Sequence, residues 1–202
     1  MLARCDLRRP VLVAVAAYPD AVSLFRRGVP PLALPPQVRA GLALARGERV
    51  LSHAMLTNGG WLVATTAALV VVDPVHGPDA GPGTPRARYP WHEVTEATWD
   101  PQQRTVDVHV VALPHTRLHL DDHDSTVPVV LRERVMSTYV RSRRIVVRGR
   151  RGVVVAIRRH TVDGSLFSQA VPDEGVDLDD PRVADQVAAV ARELAAEAGL
   201  RL

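Results

Sequence analysis

Short apolar runs separated by turn residues fill the middle of the chain, from about residue 47 to residue 171. Eight of these runs have the length and the Val-rich composition of β-strands, and several alternate apolar and polar positions as a half-buried strand does. Over residues 127–139 the apolar positions instead recur at helical spacing, which predicts a short inserted helix. The chain is therefore predicted to be mainly β, of the α+β class.

Turn residues divide these runs. Asn58-Gly59 predicts a tight type I′ hairpin turn, because that turn needs positive φ at both central positions. Residues 61–72 are apolar almost without interruption, which predicts one strand that is buried on both faces or bent. Residues 89–100 are also predicted to form one strand, with a bulge or kink that brings both Trp91 and Val94 to the core.

A second helix is predicted at the carboxyl end. Asp180 can cap free backbone amides and Pro181 suits the first helical position. The apolar stripe continues to about Ala198, and Gly199 can end the helix in the left-handed conformation. We expect this C-terminal helix to close an antiparallel β barrel or sandwich.

The chain is long enough for one good core, since it has 202 residues of which 47% are hydrophobic. Residues 1–36 are predicted to be an N-terminal extension with a Pro-rich linker, ordered or disordered, and residues 37–202 to be one domain. The lone Cys5 excludes an internal disulfide and fits a reducing compartment, so we expect a cytoplasmic protein. No run approaches the roughly 18 apolar residues of a transmembrane helix.

Three stretches carry a resemblance to a known superfold. They are GERVLSHAMLTNGGWLVATTAALVVVD at 47–73, YPWHEVTEATWD at 89–100 and LRERVMSTYVRSRRI at 131–145. The chain resembles an uncharacterised bacterial pleckstrin-homology-like (PH-like) family over about residues 35–200. The resemblance implies a PH-like barrel or sandwich that binds a ligand or a protein, and it brings no catalytic residue. The hairpin loop at 57–60 has no positive charge, so phosphoinositide recognition is not implied.

Positive charge is concentrated in one region. The sequence has no Lys, and ten Arg with a single opposing Glu lie between residues 132 and 159. Guanidinium groups match phosphate and carboxylate, which predicts an Arg-rich edge for an acidic ligand or a protein partner. The candidate ligand-binding residues are Arg141, Arg143, Arg144, Arg148, Arg150, Arg151, Arg158 and Arg159. The alternative is that the acidic clusters at 121–124 and 173–180 fold back and neutralise them.

A second hypothesis concerns a metal. His115, His119, His123 and Asp121, with His109 across a hairpin, have the side chains that bind zinc or another divalent ion. They would make the protein a metal-dependent enzyme. Nucleic-acid binding is a weaker alternative, because the net charge is only +3 and no stacking aromatics accompany the Arg residues.

No catalytic or nucleotide-binding motif is present in the sequence. We therefore expect a non-enzymatic binding or adaptor protein without a cofactor, and we leave peripheral membrane contact open.

Overall fold

The computed structural model describes residues 33–75, 77, 82–111, 113–121 and 125–200. Its helices are α1 (Pro36–Gly41), α2 (Val127–Ser137) and α3 (Pro181–Glu197), and its strands are β1 (Val50–Met55), β2 (Trp61–Thr65), β3 (Ala68–Val72), β4 (Pro85–Pro90), β5 (Val94–Asp100), β6 (Thr105–Val110), β7 (Thr116–His119), β8 (Tyr139–Arg148), β9 (Arg151–Arg159) and β10 (Leu166–Pro172). The strands form three antiparallel sheets, so the prediction of a mainly β chain is confirmed.

Two sequence predictions concern the N-terminal extension and membrane-spanning helices. The predicted N-terminal extension lies, up to residue 32, outside the described residues. Within the described ranges, no helix combines the length and the apolar character needed to cross a membrane.

The first sheet has the order β1-β2-β3-β4. The predicted first hairpin is confirmed, but the prediction of a type I′ turn is wrong. That turn needs positive φ at both central residues, and here Gly59 has φ +82° whereas Asn58 has no positive φ. Leu56 O accepts a hydrogen bond from Gly59 N, and Leu56 N donates to Gly60 O, both at 2.8 Å. Thr57 thus adds a residue to the loop, which becomes a three-residue turn with a left-handed Gly.

Residues 61–72 form two strands rather than one. The chain reverses after Thr65, whose hydroxyl oxygen accepts hydrogen bonds from Ala67 N at 3.1 Å and Ala68 N at 2.9 Å. A Thr hydroxyl can hold a turn that contains neither Gly nor Pro. Every residue of β2 and β3 is nevertheless buried, so the predicted burial of both faces is confirmed.

The second sheet has the order β5-β6-β7. The prediction of one strand over 89–100 is wrong, because the chain turns from the first sheet to the second at residues 91–93. Trp91 is fully buried at this corner, and its indole Nε1 donates to Thr65 O at 2.9 Å. The predicted irregularity is present as a register shift between Val94 and Glu96. Trp91 thereby fixes the corner between the sheets.

A single β-bridge between Leu56 and Leu120 joins the first two sheets at another corner. The inserted helix, α2, packs over the space between these sheets and buries Val127, Leu131 and Val135 in their common core. The described strands therefore form separate sheets, and the closed barrel, one of the two predicted arrangements, is not found among them. It is α2, and not the C-terminal helix, that covers this core.

The third sheet, β10-β9-β8, has its own helix. The predicted limits of α3 are confirmed, because the Asp180 side chain accepts a hydrogen bond from Arg182 N at 2.9 Å and Gly199 has φ +76°. The apolar face of α3, including Val183 and Val187, packs on the Val-rich face of β9. Burying the same stripe against this sheet explains why α3 does not reach the first core.

The outer face of the first sheet is also covered. Val38 of α1 and Leu42 pack against Trp61, Val63 and other outward residues of β2 and β3. This contact explains why β2 and β3 carry apolar residues on both faces.

Candidate anion-binding surface

The candidate Arg residues lie on the third sheet. β8 is its last strand, and the register pairs Arg148 with Arg151 at the β8–β9 turn and Arg144 with Val154 farther along. Within the described part of the chain, no strand pairs with the outer edge of β8. We call this edge with the adjoining turn, residues 139–151, the β8 edge. Six of the eight candidates lie on it, and Arg158 and Arg159 lie at the end of β9.

Two candidates on β8 are already paired. Arg143 binds two carboxylates of α3, with Nη1 at 2.5 Å from Glu193 and Nη2 at 2.8 Å from Glu197. Arg144 forms a two-point contact with Asp173, which follows β10. These pairs agree in part with the alternative that acidic residues fold back on the Arg cluster.

Asp173 is a buried carboxylate that fixes the end of the third sheet. It accepts hydrogen bonds from Arg144 and, at 2.7 Å, from Gly152 N. Burial alone raises the pKa of Asp173, but these hydrogen bonds and the charge of Arg144 outweigh burial and hold the pKa below its ordinary value. Arg144 therefore has a structural role that an external ligand would disturb.

Three candidates remain unpaired by any described acidic side chain. Arg141, Arg148 and Arg150 are all exposed, and the only side-chain hydrogen bond among them is from Arg141 Nη1 to Val140 O at 3.0 Å. Arg151 is exposed as well, and its charge acts on Asp173. The β8 edge thus carries free guanidinium groups near both of its ends.

Arg158 lies in the interior, with no exposed surface. Its guanidinium donates to Trp91 O at 3.0 Å, to Val94 O at 2.9 Å and to the side chains of Thr138 and Gln169. Its guanidinium carbon also lies 4.3 Å from the centre of the Tyr139 ring. Burial lowers the pKa of Arg158. This residue joins the third sheet to the corner between the other two and is not available to a surface ligand.

Arg159 points away from Arg158 to the surface and lines a small cavity with Arg134 of α2. Sequence reasoning counted Arg134 in the basic region but did not place it in a site. The two residues are far apart in sequence, and only the packing of α2 beside the end of β9 brings them together. A pattern within one element could not have indicated this pairing.

The candidate metal residues lie on the second sheet, on β7 and the segments next to it. His115 Nε2 contacts Asp107 Oδ1 at 2.8 Å, and the rings of His109 and His115 stack with centroids 4.7 Å apart. His119 Nδ1 lies 3.3 Å from the Thr105 hydroxyl. His123 lies outside the described residues. Among the residues that are described, no three His, Cys, Asp or Glu side chains are grouped to hold a metal ion.

The carboxylate of Asp107 already has two hydrogen-bond partners. Arg117 Nε and His115 Nε2 both lie 2.8 Å from its Oδ1 atom. Burial raises the pKa of Asp107, but the bonds to Arg117 and His115 outweigh it and lower the pKa overall. Asp121 is held at the sheet corner through its backbone, with Asp121 N donating to Met55 O at 2.9 Å. The carboxylate of this cluster is thus engaged by a guanidinium and an imidazole.

Comparison of the chain with protein-family models, with curated proteins and with solved structures finds no match. The function therefore has to be argued from the geometry of the described residues.

Proposed function

We propose that the chain is a non-enzymatic binding domain that takes an acidic, extended segment of a partner protein along the β8 edge. One observation carries the proposal: β8 is a ten-residue edge strand, unpaired by any described strand, with free Arg residues near both ends. An unpaired strand edge offers N–H and C=O groups to a further strand, and the charges select which strand is accepted.

The length of the edge suits a short peptide. At about 3.3 Å per residue, Arg141 and Arg148 lie roughly 23 Å apart along β8. A segment of about eight residues with acidic side chains near both ends matches this separation. Val146, whose exposed fraction is 63%, lies between them and offers an apolar contact. The edge thus combines main-chain, apolar and ionic contacts.

The same charges disfavour the wrong partner. A second copy of this chain would place Arg opposite Arg, and like charges on neighbouring strands repel. An acidic strand instead gains attraction at Arg141, Arg148 and Arg150. Arg143 and Arg144 keep their internal partners in this complex, so binding does not require the third sheet to rearrange.

The proposal includes the fold type. Residues 50–137, with four antiparallel strands, then three, then a helix that covers their common core, are proposed to be a PH-like module. The bridge between Leu56 and Leu120 and the position of α2 support this proposal. The third sheet and α3 would then be an addition that supplies the binding edge. Members of the superfold generally serve as binding scaffolds, in agreement with a non-catalytic role.

A peptide titration tests the proposal. Fluorescence anisotropy is measured with a labelled eight-residue peptide of alternating Glu and Val, and with the same peptide carrying two Pro in place of Val. We expect the first peptide to bind and the second to bind much more weakly, because Pro cannot donate to a β ladder. Equal binding of the two peptides would contradict strand addition.

Charge variants complete the test. The variant Arg141→Gln, Arg148→Gln, Arg150→Gln is compared with a control of equal charge change, Arg39→Gln, Arg46→Gln, Arg192→Gln, whose side chains are also exposed. We expect about a tenfold loss of affinity for the first variant, since exposed ion pairs contribute up to about 1 kcal/mol each. A loss of the same size in the control would mean that net charge alone drives binding.

A further inference from the structure

A cavity of about 230 Å³ lies where three parts of the fold meet. Thr66 of the β2–β3 turn, the last turn of α2 and the residues that follow β9 form its walls. Thr161 Oγ1 donates to Ala67 O at 3.2 Å and Arg159 N donates to Thr138 O at 2.8 Å, so hydrogen bonds between the parts hold the walls in place. The cavity is therefore built by the fold and does not lie in a loose surface loop.

Two guanidinium groups line this cavity, from Arg134 and Arg159. Neither forms an ion pair with a carboxylate in the described part of the chain. Among the described side chains, Arg134 Nε is also the one buried polar atom without a hydrogen-bond partner. A buried donor without an acceptor is unfavourable, so Arg134 lacks a full set of hydrogen-bond partners within the described chain.

No carboxylate offsets these charges at the cavity wall, since its lining includes no Asp or Glu. Two acidic residues adjoin lining residues in sequence: Glu133, which is exposed, and Asp163, whose carboxylate accepts hydrogen bonds from Ser165 N at 2.9 Å and from the Ser165 hydroxyl at 2.7 Å. The carboxyl end of α2 would repel an anion, but the hydroxyls of Ser137 and Thr138 donate to the carbonyl oxygens of Arg134 and Val135. The balance at the cavity is positive.

The imidazole of His92 lies next to the cavity wall. It lies against the lining residue His160, with ring centroids 4.3 Å apart. Burial first, and then the charges of His160 and Arg158, lower the pKa of His92 to about 4, although Asp163 opposes them. Neutral His92 can then accept a hydrogen bond through Nδ1 from Thr161 N, at 3.4 Å.

We infer that this cavity is a binding site for a single phosphate group, held between the guanidinium groups of Arg134 and Arg159. Two forked guanidinium groups match the several oxygens and the double charge of a phosphate better than the two oxygens of a carboxylate. The volume is below the 300–1,000 Å³ or so that drug-sized ligands occupy, so the site takes the phosphate and not a large attached group. Free phosphate and a small phosphomonoester share this chemistry.

The site is tested by NMR titration of ¹⁵N-labelled protein at constant ionic strength. Inorganic phosphate, glycerol phosphate and acetate are added to separate samples. We expect saturable shifts, centred on Arg134, Arg159 and His160, for both phosphates and weaker effects for acetate. Saturation by phosphate alone would assign the free ion, and equal response to acetate or scattered, unsaturable shifts would overturn the inference.

Variants separate this site from the β8 edge. Arg159→Gln and Arg134→Gln should each weaken phosphate binding by about tenfold or more, the effect expected for a charge-assisted hydrogen bond. Arg46→Gln, an exposed Arg elsewhere, should leave the affinity unchanged. Arg159→Gln alters an exposed residue, so it keeps the test valid if Arg134→Gln fails to fold. Unchanged phosphate affinity in Arg159→Gln would contradict the site.

The acidic peptide gives an independent readout on the same variants. The inference goes beyond the proposed function, because the β8 edge variant should lose the peptide and keep phosphate. Arg134→Gln should do the reverse. Loss of phosphate binding in the β8 edge variant would refute the cavity as the phosphate site, whatever happens to the peptide.

Discussion

Replacing Arg158 by Met tests the proposed role of this residue in joining the third sheet to the rest of the protein. Arg158 is wholly buried and donates to Trp91 O, Val94 O and Thr138 Oγ1, all of them buried, at 2.9–3.1 Å. Met fills most of the volume but leaves these three acceptors without a donor. It also removes the contact with the Tyr139 ring.

The magnitude follows from those contacts. A buried acceptor without a donor costs about 1–3 kcal/mol, and we take the lower end because removing the charge also removes the unfavourable desolvation of the guanidinium. Three acceptors then give a loss of about 3 kcal/mol in the free energy of unfolding. For a protein of this size, such a loss lowers the midpoint temperature by about 6–12 °C.

Urea unfolding at pH 7, followed by circular dichroism, measures this loss. Arg159→Met is the matched control, since it changes the next residue of the same strand, whose side chain is exposed. The control should stay within about 0.5 kcal/mol of the parent protein. A loss below about 1 kcal/mol for Arg158→Met, or equal losses for the two variants, would refute the reasoning.

Three further outcomes are expected. Asp173→Asn should lower the free energy of unfolding by about 2 kcal/mol at pH 7, because a charged acceptor of Arg144 and Gly152 N is lost. Since the pKa of Asp173 is lowered in the fold, urea unfolding should show the stability difference between parent and variant fading as the pH falls below about 3.8. A stability difference that stays constant with pH would contradict this prediction. Burial and the nearby positive charges of His160 and Arg158 lower the folded pKa of His92 to about 4 and keep the ring neutral, so the fold loses stability as the pH falls from about 6.5 towards 4. An NMR titration of its ring proton that gave a midpoint near 6.5 would be the contrary result. Gly152→Ala would place a Cβ against Ile145 O, so thermal melting should show a loss of more than about 2 kcal/mol in the free energy of unfolding. An unchanged midpoint temperature would mean that β8 can move away from β9 at this position without cost.

Local sequence patterns predicted a helix best where residues within or next to that helix determine its ends and its buried face. Asp180, Pro181 and Gly199 define α3 by capping and backbone preference alone, and the structure agrees with all three. The spacing of apolar residues over 127–139 similarly indicated α2. These signals depend on neighbouring residues, so they can be read without the fold.

The errors arose where an apolar run changes direction. Residues 61–72 reverse direction without Gly or Pro, through the Thr65 hydroxyl, and residues 89–100 turn just after Pro90, where Trp91 is buried. The sheet against which a helix packs also cannot be predicted from the helix alone. An apolar stripe indicates that the helix is buried, but not against which sheet. This is why α3 was assigned to the wrong core.

The candidate site could also be predicted from the sequence only in part. The register of the β8–β9 hairpin placed Arg148, Arg150 and Arg151 at its turn from the sequence alone. Burial of Arg158 and the meeting of Arg134 with Arg159 depend on contacts between separate elements. Charge composition therefore indicated a basic region, while packing determined which guanidinium groups are structural and which are free.

Amide hydrogen exchange on β8, measured with and without the alternating Glu-Val peptide, tests the central claim most directly. If the peptide adds as a strand, outward-facing amides between Arg141 and Arg148 should become protected at saturating peptide. Saturable peptide binding with unchanged exchange along β8 would contradict the account.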